Sequence, residues 1–250
     1  MSVSHSIKGT FQEIFIERSI WVYLPPSYAL SAKTYPVIYL QDGKRLIDPL
    51  VCSNIQIFES WFEQGTMAEF IIIAVEALHR NDEYTPWKST KDSHLYGEFG
   101  GLGDAYLHYL TEIVKPLVDQ HYRTLTDNLN TMIVGCSLGG LIAIYGGLQF
   151  PGIFGKVAGL SSSVWFEGFY DFASRMTLPA NLQLYLDVSK AEGSNMLKSN
   201  QAFYELFKSS GFNQDKLHFH IAQAGKHTTE HFIKRLPDAL EWLVRRSMPH

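Results

Sequence analysis

A serine set among glycines, a histidine near the carboxyl end and a carboxylate between them could do covalent chemistry in this chain. The serine is Ser137, within residues 131–147, TMIVGCSLGGLIAIYGG. Hydrophobic residues run into Gly135-Cys136-Ser137-Leu138-Gly139, and a second apolar run leaves it. Read as strand, turn and helix, the glycines let the turn close and the helix approach the sheet. The serine then projects at the tip, beside N–H groups of a helix N-terminus, where negative charge is favoured. That arrangement suits acyl transfer. The motif alone arises by chance in roughly one of ten chains of this length at average glycine and serine usage. The simpler reading is that Ser137 only caps the following helix. Cys136, one residue before the tip, reads as pointing into the core.

A serine nucleophile needs a base, and histidine has the right intrinsic pKa. Of ten histidines, His227 in Ala224-Gly225-Lys226-His227-Thr228-Thr229 follows the last expected strand and precedes the last expected helix. That is the chain order serine–acid–histidine. His218 and His220 fall inside the strand and read as structural. His231 lies one turn into the helix, where it could line the site, and His250 is the chain end. The acid belongs on the loop after the preceding strand. Asp187 and Glu192 are the candidates: Asp187 is still within the strand pattern, whereas Glu192 stands in the loop, free to reach a histidine. Its task would be to hold the imidazole tautomer and stabilise the imidazolium.

For the oxyanion, one donor is expected from the Leu138 amide. The other is expected from the turn Gln41-Asp42-Gly43-Lys44-Arg45, with the Lys44 amide as first choice and Gly43 as the alternative. Asp42 comes too early in the chain for the triad acid and reads as a turn former. Lys44 and Arg45 put positive charge near the site, suited to an anionic or polyhydroxy substrate or to solvent.

These residues need a scaffold that presents loop ends on one side. Strands are expected over 11–16, 19–24, 35–40, 70–75, 156–160, 182–186 and 218–221, with another ending at Ile133-Val134. Helices are expected over 104–120, 138–150, 195–209 and 228–246. The runs YPVIYL and FIIIAV do not alternate cleanly, as in central strands covered on both faces. Strands alternating with helices predict an α/β fold, a central mostly parallel sheet with helices on both faces, in one domain over 1–250. Functional groups then gather beyond the carboxyl ends of the strands.

Composition narrows the classes. A formal charge of -4 with ordinary hydrophobic content argues against a nucleic-acid-coating or disordered protein. No apolar run approaches a membrane span, and the start of the chain lacks the pattern of a secretory leader, so a soluble cytoplasmic protein is expected. Two cysteines, Cys52 and Cys136, make no disulfide framework and are expected reduced. The histidines lack ligand spacing, so neither metal nor cofactor is expected. The oligomeric state is open.

Several motifs together resemble the esterase D and enterochelin esterase-like family of α/β-hydrolases, which also includes feruloyl and acetyl-xylan esterases and mycolyltransferases. They are YPVIYLQDG at 35–43, Arg80 with NDEYTPW to Trp87, GDAY at 103–106, GCSLGG at 135–140, LSSSVW at 160–165 and GKH at 225–227. The resemblance spans residues 9–243. It implies an α/β-hydrolase fold without a large lid, Ser137 as nucleophile and His227 as base. It also implies Glu192 as the acid, three positions after Ser189, where the family usually has glycine. It supports the Lys44 amide as oxyanion donor. It places Arg80, Glu83, Tyr84 and Trp87 in a loop walling the pocket, and Trp165 beside the substrate. The implied activity is hydrolysis of a small-molecule ester through an acyl-enzyme. The alternatives are acyl transfer on the same triad and a hydrolase-like fold used only for binding.

Overall fold

The computed structural model describes residues 6–91 and 93–245. His250 and the first five residues of the expected leaderless start lie outside the described residues. Two antiparallel strands come first, β1 (Thr10–Ile16) and β2 (Arg18–Leu24). β3 (Val37–Gln41) leads into a short helix α1 (Lys44–Ile47), followed by α2 (Asn54–Glu63) and β4 (Ile71–Val75). Next come α3 (Arg80–Glu83) and a small ribbon of β5 (Lys88–Ser89) and β6 (Phe99–Gly100), with α4 (Ser93–Tyr96) between them. α5 (Gly103–His108) passes through a π-helical turn (Tyr109–Val114) into α6 (Lys115–His121). The rest alternates: β7 (Thr131–Cys136), α7 (Leu138–Gln149), β8 (Lys156–Leu160), α8 (Phe169–Ser174), β9 (Gln183–Ser189), α9 (Ser194–Ser209), β10 (Leu217–Ala222) and α10 (Thr229–Arg245).

The eight strands of the main sheet lie in the order β1-β2-β4-β3-β7-β8-β9-β10. From β4 to β10 every neighbouring pair is parallel, and β2 joins β4 antiparallel. Every residue of β3, β4, β7 and β8 is buried, as expected of strands sandwiched between helix layers. Val37, Tyr39, Ile71 and Ile73 point into a core shared with Leu110 of the π-turn, Leu141 of α7 and Phe203 of α9. Ile38, Leu40, Ile72 and Ala74, of opposite parity, meet Leu46 of α1, Phe58 of α2 and Leu240 of α10.

One departure from the expected elements has a local cause. The single helix expected over 104–120 is interrupted by the π-turn. Pro116 has no N–H for the ladder, and the Thr111 hydroxyl bonds back to the Leu107 carbonyl at 2.9 Å. Helix α10 passes through Pro237 without stopping. The ring removes the donor that would bond the Ile233 carbonyl. Asn54, buried at the start of α2, donates to that carbonyl at 3.0 Å and to the Leu46 carbonyl at 2.9 Å. One side chain thus ties α1, α2 and α10 together. Asn54→Ala removes both bonds and leaves the Ile233 carbonyl without its side-chain donor, and should lower stability by about 1–3 kcal/mol, measured by urea unfolding. Helix α2 itself, and the ribbon β5–β6, have no counterpart among the expected elements.

Candidate active site

Three adjacent strands of the sheet end in strained residues. Asp42 after β3, Ser137 after β7 and Ser161 after β8 have φ of 51°, 58° and 43°. Non-glycine residues adopt positive φ only when the surrounding structure holds them there. At Ser137 the hold is explicit. Its amide donates to the Leu160 carbonyl at 2.9 Å, and its carbonyl accepts from the Leu141 and Ser163 amides, each at 3.0 Å. A Cβ on Gly135 would collide with the Gly139 carbonyl, so the elbow needs that glycine. The Ser137 side chain makes no capping bond to α7. Its hydroxyl lies 2.9 Å from Nε2 of His227.

His227 stands two residues before α10. Gly225 turns the chain with φ of 123°, a conformation glycine adopts without steric cost. The Phe232 ring meets the imidazole edge-on, with centroids 5.0 Å apart. Nδ1 of His227 lies 2.7 Å from Oε2 of Glu192. An ionised carboxylate can only accept, so this bond puts the imidazole proton on Nδ1 and leaves Nε2 free to accept from Ser137.

Glu192 closes a turn that begins at the end of β9. Ser189 Oγ accepts from the Ala191 amide, and Glu192 Oε1 accepts from the Ser189 amide at 3.3 Å, a capping box. Oε1 also accepts from Ser161 Oγ at 2.7 Å and from Arg235 Nη2 at 3.0 Å. Burial alone would raise the Glu192 pKa. Hydrogen bonds from His227 and Ser161 and the charge of Arg235 outweigh it and hold the carboxyl below its ordinary value. Asp187, the other candidate acid, is fully buried within β9 and bonded to other groups than the histidine. Its Oδ1 accepts from Arg235 Nη1 at 3.0 Å and from the Ser161 amide at 3.1 Å.

Burial raises Asp187 to about 7, against the opposing charge of Arg235. Its carboxyl therefore holds a proton more tightly folded than unfolded. The stability it supplies is full below the unfolded value of 3.8 and is lost as pH rises through about 7. Asp187→Asn should remove this slope. Urea titrations from pH 5 to 8 should show the variant gaining on the parent as pH rises.

The turn after β3 differs from its expected role. The Lys44 amide donates to Glu76 Oε1 at 2.9 Å, and the Lys44 ammonium lies over the Trp21 ring, 4.0 Å from its centroid. Reaching an oxyanion would require release from Glu76. Gly43 is buried with its backbone against Leu40 and Ala74, and Arg45 is exposed. Neither borders the pocket beside Ser137. The Leu138 amide is at the first position of α7, where the helix itself supplies no acceptor.

That pocket holds about 270 Å³. It is lined by Ser137, Leu138, Ser163, Glu192 and His227 together with Arg80, Asn81, Tyr96, Phe99, Trp165 and Met196. The Tyr96 and Trp165 rings lie 5.1 Å apart at a 31° tilt. Arg80 is held by Asp42, Nε to Oδ2 at 2.6 Å. Of the loop residues expected at the pocket, Tyr84 and Trp87 lie elsewhere. Tyr84 is fully buried and accepts from the Asp42 amide at 3.1 Å, bracing the strained turn. Trp87 donates to the Glu167 carbonyl at 2.8 Å and stacks among Phe166, Phe169 and Phe172. Glu83 pairs with buried Arg18 at 2.6 Å. Short aromatic-rich loops give the same composition whether they face a pocket or a core.

Other expected residues lie apart from this line. His218 stacks on Tyr185 at 5.0 Å, and His231 bonds Thr228 Oγ1 at 2.9 Å. Cys52 and Cys136 are free and buried, and burial pushes both thiols above their ordinary pKa. Among the described residues no group of three or more His, Cys, Asp or Glu is arranged to hold a metal ion, and no helix is long and apolar enough to cross a membrane.

A family model described as "Putative esterase" matches residues 12–243. The chain belongs to this esterase family. The esterase is 32% identical over 238 residues to YbbA of Bacillus subtilis strain 168, described as an uncharacterized protein, covering 92% of this chain and 94% of YbbA. Its fold is the α/β-hydrolase type. It superposes on an IroE-like serine hydrolase from Shewanella oneidensis with a TM-score of 0.79 at 20% identity, covering 97% of this chain and 82% of that one. The enterobactin esterase Fes from Shigella flexneri, solved with enterobactin, gives 0.79 at 18% identity, over 96% of this chain and 60% of that one. The family makes this chain a carboxylic ester hydrolase.

Ser161, Ser163, Asn81, Tyr96, Phe99, Met196 and Arg235 are site residues that spacing did not single out. The run LSSSVW held the first two in plain view. Arg235 sits in an amphipathic helix, where an arginine ordinarily reads as a solvent-facing charge.

Proposed function

We propose that this esterase works as a serine hydrolase through an acyl-enzyme. The reading rests on one observation: the unbroken line Glu192–His227–Ser137, with bonds of 2.7 and 2.9 Å, ending on a hydroxyl at the pocket. Ser137 Oγ attacks the ester carbonyl as His227 Nε2 takes its proton. The Leu138 amide donates to the oxyanion. The imidazolium, stabilised by Glu192, then protonates the leaving alkoxide. Water, deprotonated by His227, attacks the acyl-enzyme and releases the acid.

The pocket favours an ester with an aromatic group. Tyr96, Phe99 and Trp165 supply ring faces and edges within one wall, and Arg80 brings a fixed positive charge to the same space. An aryl group bearing acidic or phenolic oxygens suits both. Enterobactin, named with the Shigella esterase, and feruloyl esters belong in the first substrate panel, beside sugar acetates, S-formylglutathione and short-chain aryl esters. Turnover of oxygenated aryl esters above sugar acetates, abolished in Ser137→Ala, is the expected outcome. Equal turnover of sugar acetates would remove the aromatic preference. Dominant transfer to an added alcohol would make the enzyme an acyltransferase.

Trp165→Ala should raise KM for aryl esters by about tenfold, from one lost ring contact of about 1–1.5 kcal/mol, with little change for acetyl esters. Steady-state kinetics on matched aryl and acetyl esters measures it.

A further inference from the structure

Behind the Glu192 carboxylate lies a buried charge assembly that the acyl-enzyme mechanism does not itself use. Arg235, on α10, is only 8% exposed. It spreads its guanidinium over two acids and one hydroxyl: Nη1 to Asp187 at 3.0 Å, Nη2 to Glu192 at 3.0 Å, and Nη2 to Ser161 Oγ at 2.8 Å. Ser161 closes the set by donating its hydroxyl to Glu192 and its amide to Asp187. The same helix positions the base. Phe232, one turn after Thr228, meets the His227 ring edge-on, and the Arg235 guanidinium lies 5.3 Å from the Phe232 centroid. Positions 232 and 235 fall on one face of α10. A shift of α10 therefore moves base and acid together.

The charges matter as much as the positions. Two ionised carboxylates around one guanidinium carry a net charge of about one negative, which an imidazolium neutralises; with Asp187 protonated the assembly is neutral before His227 charges. Removing Arg235 leaves Glu192 with nothing positive behind it, and a buried carboxylate uncompensated from the rear binds the imidazolium more strongly. The other titratable groups facing this assembly are Cys136 at the end of β7, Tyr185 on β9 and Asp238 on α10.

We infer that Arg235 is the positioning residue of the Ser137–His227–Glu192 line: it fixes the carboxylate that orients His227 and limits how strongly that carboxylate holds the imidazolium. The inference rests on the serine-esterase reading. Ser161 serves as the spacer that keeps the guanidinium between the two acids.

The test compares Arg235→Gln, Arg235→Lys and Asp187→Asn with the parent by pH profiles of kcat/KM on one aryl ester, each variant first checked for folding by circular dichroism. Arg235→Gln should lower kcat by roughly ten- to a hundredfold with KM changed less than about threefold. It should move the acid limb upward by on the order of one pH unit. Arg235→Lys keeps the charge but not the planar fork. Its limb should stay near the parent's while kcat falls by a smaller factor, and this variant decides the matter if Arg235→Gln does not fold. Asp187→Asn removes the charge of the other acid, while its Oδ1 can still accept from Nη1, and leaves Arg235 paired with Glu192, so its limb should not rise. A limb unmoved in Arg235→Gln, an upward shift in Asp187→Asn equal to that in Arg235→Gln, or a kcat unchanged in Arg235→Lys would each overturn the inference and leave Arg235 a purely structural residue. A parent chain that neither turns over ester nor reacts at Ser137 overturns the serine-esterase reading itself, which separates the two failures.

Discussion

Ser137→Ala should lower kcat by on the order of 10⁵- to 10⁶-fold, with KM little changed, leaving only what pocket binding and the oxyanion donor supply. The size of the loss follows from the geometry. The hydroxyl is hydrogen-bonded to His227 Nε2 at the pocket, and alanine removes the proton that base would take. Ser163 Oγ lies 3.4 Å from Ser137 Oγ, at the limit of a hydrogen bond. It cannot take over the attack without moving toward the imidazole, so Ser163→Ala should lose far less. Alanine at 137 keeps the same backbone with φ of 58°, so the elbow strain remains and thermal unfolding should stay within a few degrees of the parent. A steady-state assay on one aryl ester, with active-site titration to exclude trace contamination by parent enzyme, measures the ratio.

Glu192→Gln should cost about 10³- to 10⁴-fold in kcat, far more than Asp187→Asn. A glutamine fits the same space, but its amide can offer N–H to Nδ1 of His227, which favours the tautomer with the proton on Nε2. That proton faces Ser137 and blocks it as a general base. The same substitution takes a charge-assisted acceptor from Ser161 and Arg235. Asp187→Asn touches neither His227 nor Ser137 directly: Asp187 Oδ1 accepts from Arg235 Nη1 and from the Ser161 amide. Kinetics of both variants at pH 8, above the value of about 7 near which Asp187 titrates, compare them with a parent mostly in its ionised form. A larger loss in Asp187→Asn would transfer the orienting role to Asp187.

Much of the scaffold was legible because its determinants are local. The unalternating runs of β3 and β4 declare strands buried on both faces, and the Gly-x-Ser-x-Gly turn declares the junction of β7 and α7. Chain order and loop position told Glu192 from Asp187, five residues apart, and in the structure both carboxylates bind Arg235 while Glu192 also bonds the histidine. What local pattern did not carry are contacts made across the sheet. Glu76, at the end of β4, takes the Lys44 amide from beside β3, a pairing set by strand order rather than spacing. Tyr84 and Trp87 follow Arg80 within seven residues, yet only Arg80 reaches the pocket, because the short helix α3 and the ribbon rotate the others into the core. Arg235 is invisible for the same reason: nothing in α10 alone tells a buried arginine from an exposed one. The proline within α10 does not end the expected helix, since Asn54, distant in sequence, satisfies the carbonyl it strands.

The central claim is that Ser137, activated by His227, is the group that attacks the ester. Its most direct test is covalent capture with a fluorophosphonate, in which the serine oxygen displaces fluoride at phosphorus, followed by digestion and peptide mass spectrometry. The account predicts rapid, stoichiometric phosphonylation of the peptide bearing Ser137, lost in Ser137→Ala and slowed in His227→Ala and Glu192→Gln. An adduct on Ser163 or Cys136, or a native chain that hydrolyses esters while Ser137 stays unmodified, would contradict it.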